Sequence, residues 1–125
     1  MKQVDKSHYD YSSYMTIRRW ASLWHQLDEV MQLGPATVLE IGPGKGVFKH
    51  LSSIFDLKVE TLDIDSDLEP DHIGSAIDLP FDDKSFDLIC AFQILEHLPY
   101  ELALQAFREM ACVSNRSIII SLPDV

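Results

Sequence analysis

The sequence predicts one α/β domain: a parallel sheet of about five strands with helices on both faces. Three observations carry this. Short apolar, β-branched runs alternate with amphipathic stretches of helical period along the chain. A glycine cluster, Gly42 to Gly46, directly follows the first such run and opens a helical stretch. The length, 125 residues, suits one domain. Right-handed crossovers then place the helices on both faces.

The elements follow in order. The polar start, residues 1–12, reads as a flexible segment, and residues 13–125 as the domain. From Ser13 to Met31 the pattern is helical, with Ile17, Trp20, Trp24, Leu27 and Met31 on one apolar stripe. The two tryptophans on that stripe are expected in the core. Gly34-Pro35 stops the helix. Thr37 to Ile41 is a buried strand, and Val47, Leu51 and Ile54 mark the next helix. Leu57 to Leu62 is a second strand, ending in Asp63-Ile64-Asp65. Ser66 to Pro70 reads as a loop or one helical turn, His72 to Ser75 as a short strand and residues 79–84 as a turn. Phe86 to Phe92 is a further strand. Tyr100 to Cys112 is helical, with Leu102, Ala106, Phe107 and Met110 inward. Ser117 to Leu122, with its three isoleucines, is the last strand and reads as an interior one.

Charge narrows the function classes. Net charge is -10, and residues 56–87 hold eleven acids against two lysines, a net of -9. Such a field disfavours nucleic acid, whose phosphates need clustered Lys and Arg. No apolar run approaches the roughly 18 residues of a membrane span. The start has no signal-peptide core, so a cytoplasmic location is expected. Cys90 and Cys112 make no disulfide or metal framework, and the five histidines form no ligand spacing with them. Asp63-x-Asp65-x-Asp67 opens like a calcium loop, but Leu68 and Gly74 stand where Gly and Glu belong. No metal site is expected.

The glycine turn carries the chemistry. Helix N-termini leave amide N–H groups unpaired, and glycines let a ligand approach the backbone. The spacing is Gly42-x-Gly44-x-Gly46; Val47 breaks the dinucleotide fingerprint, and Lys45 is misplaced for a phosphate loop. Glu40, just before the turn, suits an ammonium or sulfonium better than a pyrophosphate. Asp63, 19 residues after Gly44, stands where a carboxylate can accept both hydroxyl protons of a ribose. S-adenosylmethionine combines a ribose, an ammonium and a sulfonium, and is the cofactor these residues point to. A nicotinamide oxidoreductase is disfavoured by Val47 and by the lack of a substrate domain.

Four segments in order strengthen this reading. Val38 to Gly46 resembles the first motif of class I S-adenosylmethionine-dependent methyltransferases. Thr61 to Asp65 is similar to the second, and Leu79-Pro80-Phe81 through Ser85 to Ile89 to the stretch leading into the fourth strand. Leu95-Glu96-His97-Leu98 is similar to a segment of the ubiquinone and menaquinone branch. The likeness covers roughly residues 36–123 and implies a Rossmann-like fold. It implies that Gly42, Gly44 and Gly46 line the methionine end, with Glu40 ordering that turn and the ammonium. It further implies that Asp63 takes the ribose, that Ile64 packs on adenine and that Gln93 lies near the methyl group. Where the family has an acid for the adenine amino group, this chain has Ser75, followed by Ala76, whose backbone N–H is the substitute donor.

Methyl transfer to a small-molecule acceptor is the expected activity. Catalysis there is mostly alignment for in-line displacement. Glu96 or His97 would serve as base where the acceptor must lose a proton. The alternative is a non-catalytic binding or assembly module of the same fold. Family members continue past the fifth strand with two more, so the chain reads as truncated there, either a natural short form or a fragment. A homo-oligomer through Ser117–Leu122 is expected to cover that strand. Tyr9, Tyr11, Tyr14 and Trp20 would form a lid over the cofactor.

Overall fold

The computed structural model describes residues 11–122. Its sheet has five parallel strands in the order β3-β2-β1-β4-β5. These are β1 Val38–Ile41, β2 Val59–Asp63, β3 His72–Ile73, β4 Phe86–Phe92 and β5 Ser114–Ser121. The expected fold class is the one observed. β1 is central because it carries apolar side chains on both faces and is buried at all four positions. The chain runs outward from it twice, first to β2 and β3, then to β4 and β5. The C-terminal ends of β1 and β4 therefore flank the point where strand order reverses, the usual place for a crevice in such sheets.

Helices cover both faces. α1 (Tyr11–Tyr14) is a single turn; α2 (Ile17–Leu33) and α3 (Val47–Ile54) lie on one face, and α4 (Tyr100–Val113) on the other. Thr16 caps α2, its Oγ1 accepting from the Arg19 N–H at 3.1 Å. Gly34, at φ 59°, closes it in the left-handed conformation. One core joins Leu23 and Val30 of α2 and Phe48 of α3 to Val38, Val59, Leu88 and Cys90. The other joins Met110 and Val113 of α4 to Leu39, Ile41, Leu62, Ile89 and Ala91. Alternation along each strand divides its residues between the two.

Three expectations need correction. Trp20 and Trp24 are not core residues; they are 47% and 61% exposed, and Ile17 is exposed with them. Leu23, Leu27 and Val30 form a second helical stripe beside the one they occupy, and that stripe is the one that packs on β1, β4 and α3. Phe107 is likewise exposed on α4. Gln105 Nε2 donates to the Ile77 carbonyl at 2.9 Å, and Glu109 Oε1 accepts from the Leu79 N–H at 2.7 Å. These bonds fix one flank of α4 against the loop after β3 and turn Phe107 to the opposite flank. Finally, β5 begins at Ser114 rather than Ser117 and is an edge strand, not an interior one. Among the described residues Ile118 and Ile119 are partly buried and Ile120 is exposed, and the strand has one neighbour, β4.

Candidate functional site

The site is built on the ends of β1, β2 and β4. Ile41 is in register with Leu62 on one side and Ala91 on the other. The next residues, Gly42, Asp63 and Phe92, therefore form the last row of the sheet. Gly42 extends the ladder by donating its N–H to the Leu62 carbonyl at 2.9 Å. Above this row the glycine turn bends back into α3. Gly42, Gly44 and Gly46 adopt φ of 70°, 59° and 80°, a region that costs other L-residues about 1–2 kcal/mol. The turn closes with the Gly46 N–H on the Pro43 carbonyl at 3.0 Å. The predicted glycines are thus together, and their backbone conformation accounts for the residue type.

Glu40 lies two residues below the row, buried, with Oε1 lacking any hydrogen-bond partner. Burial pushes its carboxyl up to about 8, with the Lys49 ammonium pulling the other way. An orphaned buried oxygen is costly, about 1–3 kcal/mol when left unpaired. A cation arriving above it would remove that cost. Asp63 is half-buried; burial raises its carboxyl, opposed by the Asp65 N–H bonded to Oδ1 at 2.9 Å. These carboxylates stand on neighbouring strands at the same end of the sheet.

Lys49 is a residue that sequence patterning did not single out. Its Nζ lies 2.6 Å from Asp71 Oδ2, which also accepts from the Thr61 N–H at 2.9 Å and Oγ1 at 3.2 Å. Burial raises Asp71, but the bonds from Lys49 and Thr61 outweigh it and hold the carboxyl below its usual range. Thr61 is the register partner of Glu40, so one polar cluster runs from the β2–β3 segment to the floor of the site. The available signal was a buried polar residue inside an apolar strand.

The remaining predicted residues are spread around this centre. Ile64 is exposed beside Asp63. Ser75 and Ala76 are half-buried after β3; the Ser75 Oγ accepts from the Ile77 N–H at 3.3 Å, and Ala76 packs toward the α4-side core. Gln93 follows β4 with φ 57°, left-handed for a non-glycine residue. Glu96 and His97 lie on the 3-10 turn Leu95–His97, their side chains 3.7 Å apart and solvent-accessible. Ile94, between Gln93 and the 3-10 turn, lies against Gly42 of the glycine turn. Of the lid residues, Tyr9 lies outside the described residues, and so does most of the segment expected to be flexible.

One comparison decides the family. The profile of the methyltransferase domain family matches residues 11–124. The chain belongs to the methyltransferase domain family. Its fold is similar to that of the PH0226 protein from Pyrococcus horikoshii, with a TM-score of 0.77 and 22% identity over 94% of this chain and 59% of that one. A candidate S-adenosyl-L-methionine-dependent methyltransferase from Methanococcus maripaludis has a TM-score of 0.68 and 16% identity, covering 95% of this chain and 64% of that one. The [4+2]-cyclase SpnF has a TM-score of 0.56 and 20% identity, covering 72% of this chain and 40% of that one. The methyltransferase-domain chain thus spans about three fifths of the length of these first two neighbours. Comparison with curated proteins finds no match. Among the described residues, no helix is long and apolar enough to cross a membrane, and no group of side chains is set to hold a metal ion.

Proposed function

We propose that this chain binds S-adenosylmethionine and transfers its methyl group to a small-molecule acceptor. The observation that carries the reading is the unpaired, buried carboxyl of Glu40 beneath a glycine turn, with Asp63 at the end of the next strand. Glycines 42, 44 and 46 would receive the methionine end, Glu40 its ammonium and Asp63 the ribose hydroxyls. Ile64 would pack on adenine, with the Ser75–Ala76 backbone near its amino group and Gln93 near the methyl. The cofactor supplies an electrophilic methyl on a sulfonium; the chain supplies alignment and water exclusion. Glu96 or His97, accessible on the crevice bank, would accept a proton where the acceptor carries one. The Leu95-Glu96-His97-Leu98 segment supports an acceptor of the quinone-precursor kind.

Calorimetry with S-adenosylmethionine and S-adenosylhomocysteine tests this. Micromolar binding that Asp63→Ala weakens by at least about tenfold is expected, given the hydrogen bonds a buried diol loses. Binding indifferent to that substitution would overturn the assignment.

A second reading is a cofactor-binding or assembly module without turnover. Ser75 in place of an acid favours it, and the SpnF cyclase supports the view that this fold serves other chemistry. Binding without turnover across a broad acceptor screen would decide for it. The same proposal includes a cytoplasmic location, a lid over the cofactor formed with Tyr9, Tyr11, Tyr14 and Trp20, and a homo-oligomer through Ser117–Leu122. The edge position of β5 among the described residues supports the last. Light scattering showing a monomer at high concentration would remove it.

A further inference from the structure

Gly42 and Ile94 meet across the crevice. A Cβ on Gly42 would fall 2.7 Å from Ile94 Cγ1, and nearer still to Cδ1. Carbon atoms do not approach that closely, since contact distances are about 3.5–4.0 Å. The bare face of Gly42 is therefore already filled, and by a side chain of this protein. Gly46 differs: nothing lies within 4 Å of the place its Cβ would take. Space for a ligand remains at that end of the turn.

Ile94 is aimed by its neighbour. Gln93 takes φ 57° and donates its N–H to the Ser121 carbonyl at 3.0 Å, which ties the end of β4 to the end of β5. A left-handed glutamine costs free energy and persists only where its surroundings hold it. It directs the next residue across the crevice, where Ile94 packs on the core of Leu39, Ile41, Leu62 and Ile89. The 3-10 turn with Glu96 and His97 follows at once.

We infer that Ile94 is a positioning residue that clamps the glycine turn to the opposite bank and so sets the width of the crevice for the cofactor's aminoacyl end. The ligand in this statement rests on the function proposed above; the contact does not. The contact adds a second reason for glycine at position 42, beside its φ of 70°. It also fixes where Gln93, Glu96 and His97 lie relative to the turn.

A double-substitution cycle tests it, read by S-adenosylhomocysteine affinity and by thermal unfolding of the ligand-free protein. Ile94→Ala should weaken binding about tenfold, and Ile94→Val, which keeps the Cγ atoms but loses Cδ1, by less. Gly42→Ala should weaken binding strongly. Adding Ile94→Ala to it should cost nothing further, since the clash is then gone, and the melting temperature should recover in part. Losses that multiply, or an Ile94→Ala protein that binds like the parent, would overturn the clamp. If Gly42→Ala does not fold, the Ile94→Ala and Ile94→Val pair decides alone. If the parent binds no nucleoside, the cofactor reading fails, and the unfolding cycle still tests the contact.

Discussion

Glu40 of β1 and Cys90 of β4 are register partners on adjacent parallel strands, and both are buried. Parallel partners point to the same face, so two ionisable groups share one apolar layer under the glycine turn. Burial raises the Cys90 thiol well above its usual range, and the Glu40 charge raises it further. Neither group gains by ionising without a ligand.

Stability should therefore depend on pH through Glu40. Its folded-state value of about 8 lies above the ordinary 4.5, so the folded chain holds a proton that the unfolded chain releases. Stability is then highest below 4.5 from this group and falls as pH rises toward 8. Urea unfolding at pH 5, 7 and 9 should show that decline in the parent and a flatter profile in Glu40→Gln. Parallel profiles would refute it.

Binding should also release a proton. An ammonium above Glu40 favours its ionised form. At pH 6.5 the ligand's own amine, with a pKa of about 7.7–8.0, is already protonated. Calorimetry in two buffers of different ionisation enthalpy should therefore give different apparent heats for the parent and matching heats for Glu40→Gln.

Trp24 and Leu23 are adjacent in sequence and opposite in environment. Trp24→Ala should change stability by about 0.5 kcal/mol or less, as for an exposed site. Leu23→Ala should cost about 2–5 kcal/mol, as a buried leucine does. Denaturant midpoints check both, and a larger loss at Trp24 would reinstate it as a core residue.

Asp87 does a structural job at the far end of the sheet. Its Oδ2 accepts from the Ala36 N–H at 2.9 Å, and its Oδ1 from Asn115 Nδ2 at 3.3 Å. The Ala36 and Asn115 bonds, with Arg116 nearby, hold the carboxyl below its usual range against a smaller desolvation effect. Asp87→Ala should lower the melting temperature and leave nucleoside affinity unchanged. A loss of affinity at constant melting temperature would contradict this.

The thiols should differ in reactivity. Cys112 is exposed and Cys90 buried. A thiol reagent should titrate one group in the native protein and two in denaturant. Two reactive groups under native conditions would show that the β1–β4 layer opens.

Much of this was legible from residues in order. Val38 to Ile41 could only be a strand buried on both faces, and the glycines after it could only turn. Asp63 and Glu40 were legible because strand ends converge at a reversal point whatever the loops do. The misreadings have a common physical cause. Helical period names candidate stripes but not which one finds a partner, so Trp20, Trp24 and Phe107 were assigned inward though they are exposed, while Leu23 and Val30 of α2 are buried. The Lys49–Asp71 pair and the Ile94–Gly42 contact span 22 and 52 positions, and no local pattern encodes contacts of that range.

The residues proposed to hold the cofactor lie near 42, near 63 and near 94, so they meet only once both halves of the sheet have joined. A nucleoside that fits them binds the completed chain and ignores partly assembled forms. Saturating ligand at a hundred times its dissociation constant would then add about 2.7 kcal/mol to folding. Protease resistance of the β4 half should rise along with that of the distant glycine turn, making ligand occupancy a readout of chain assembly as well as of chemistry.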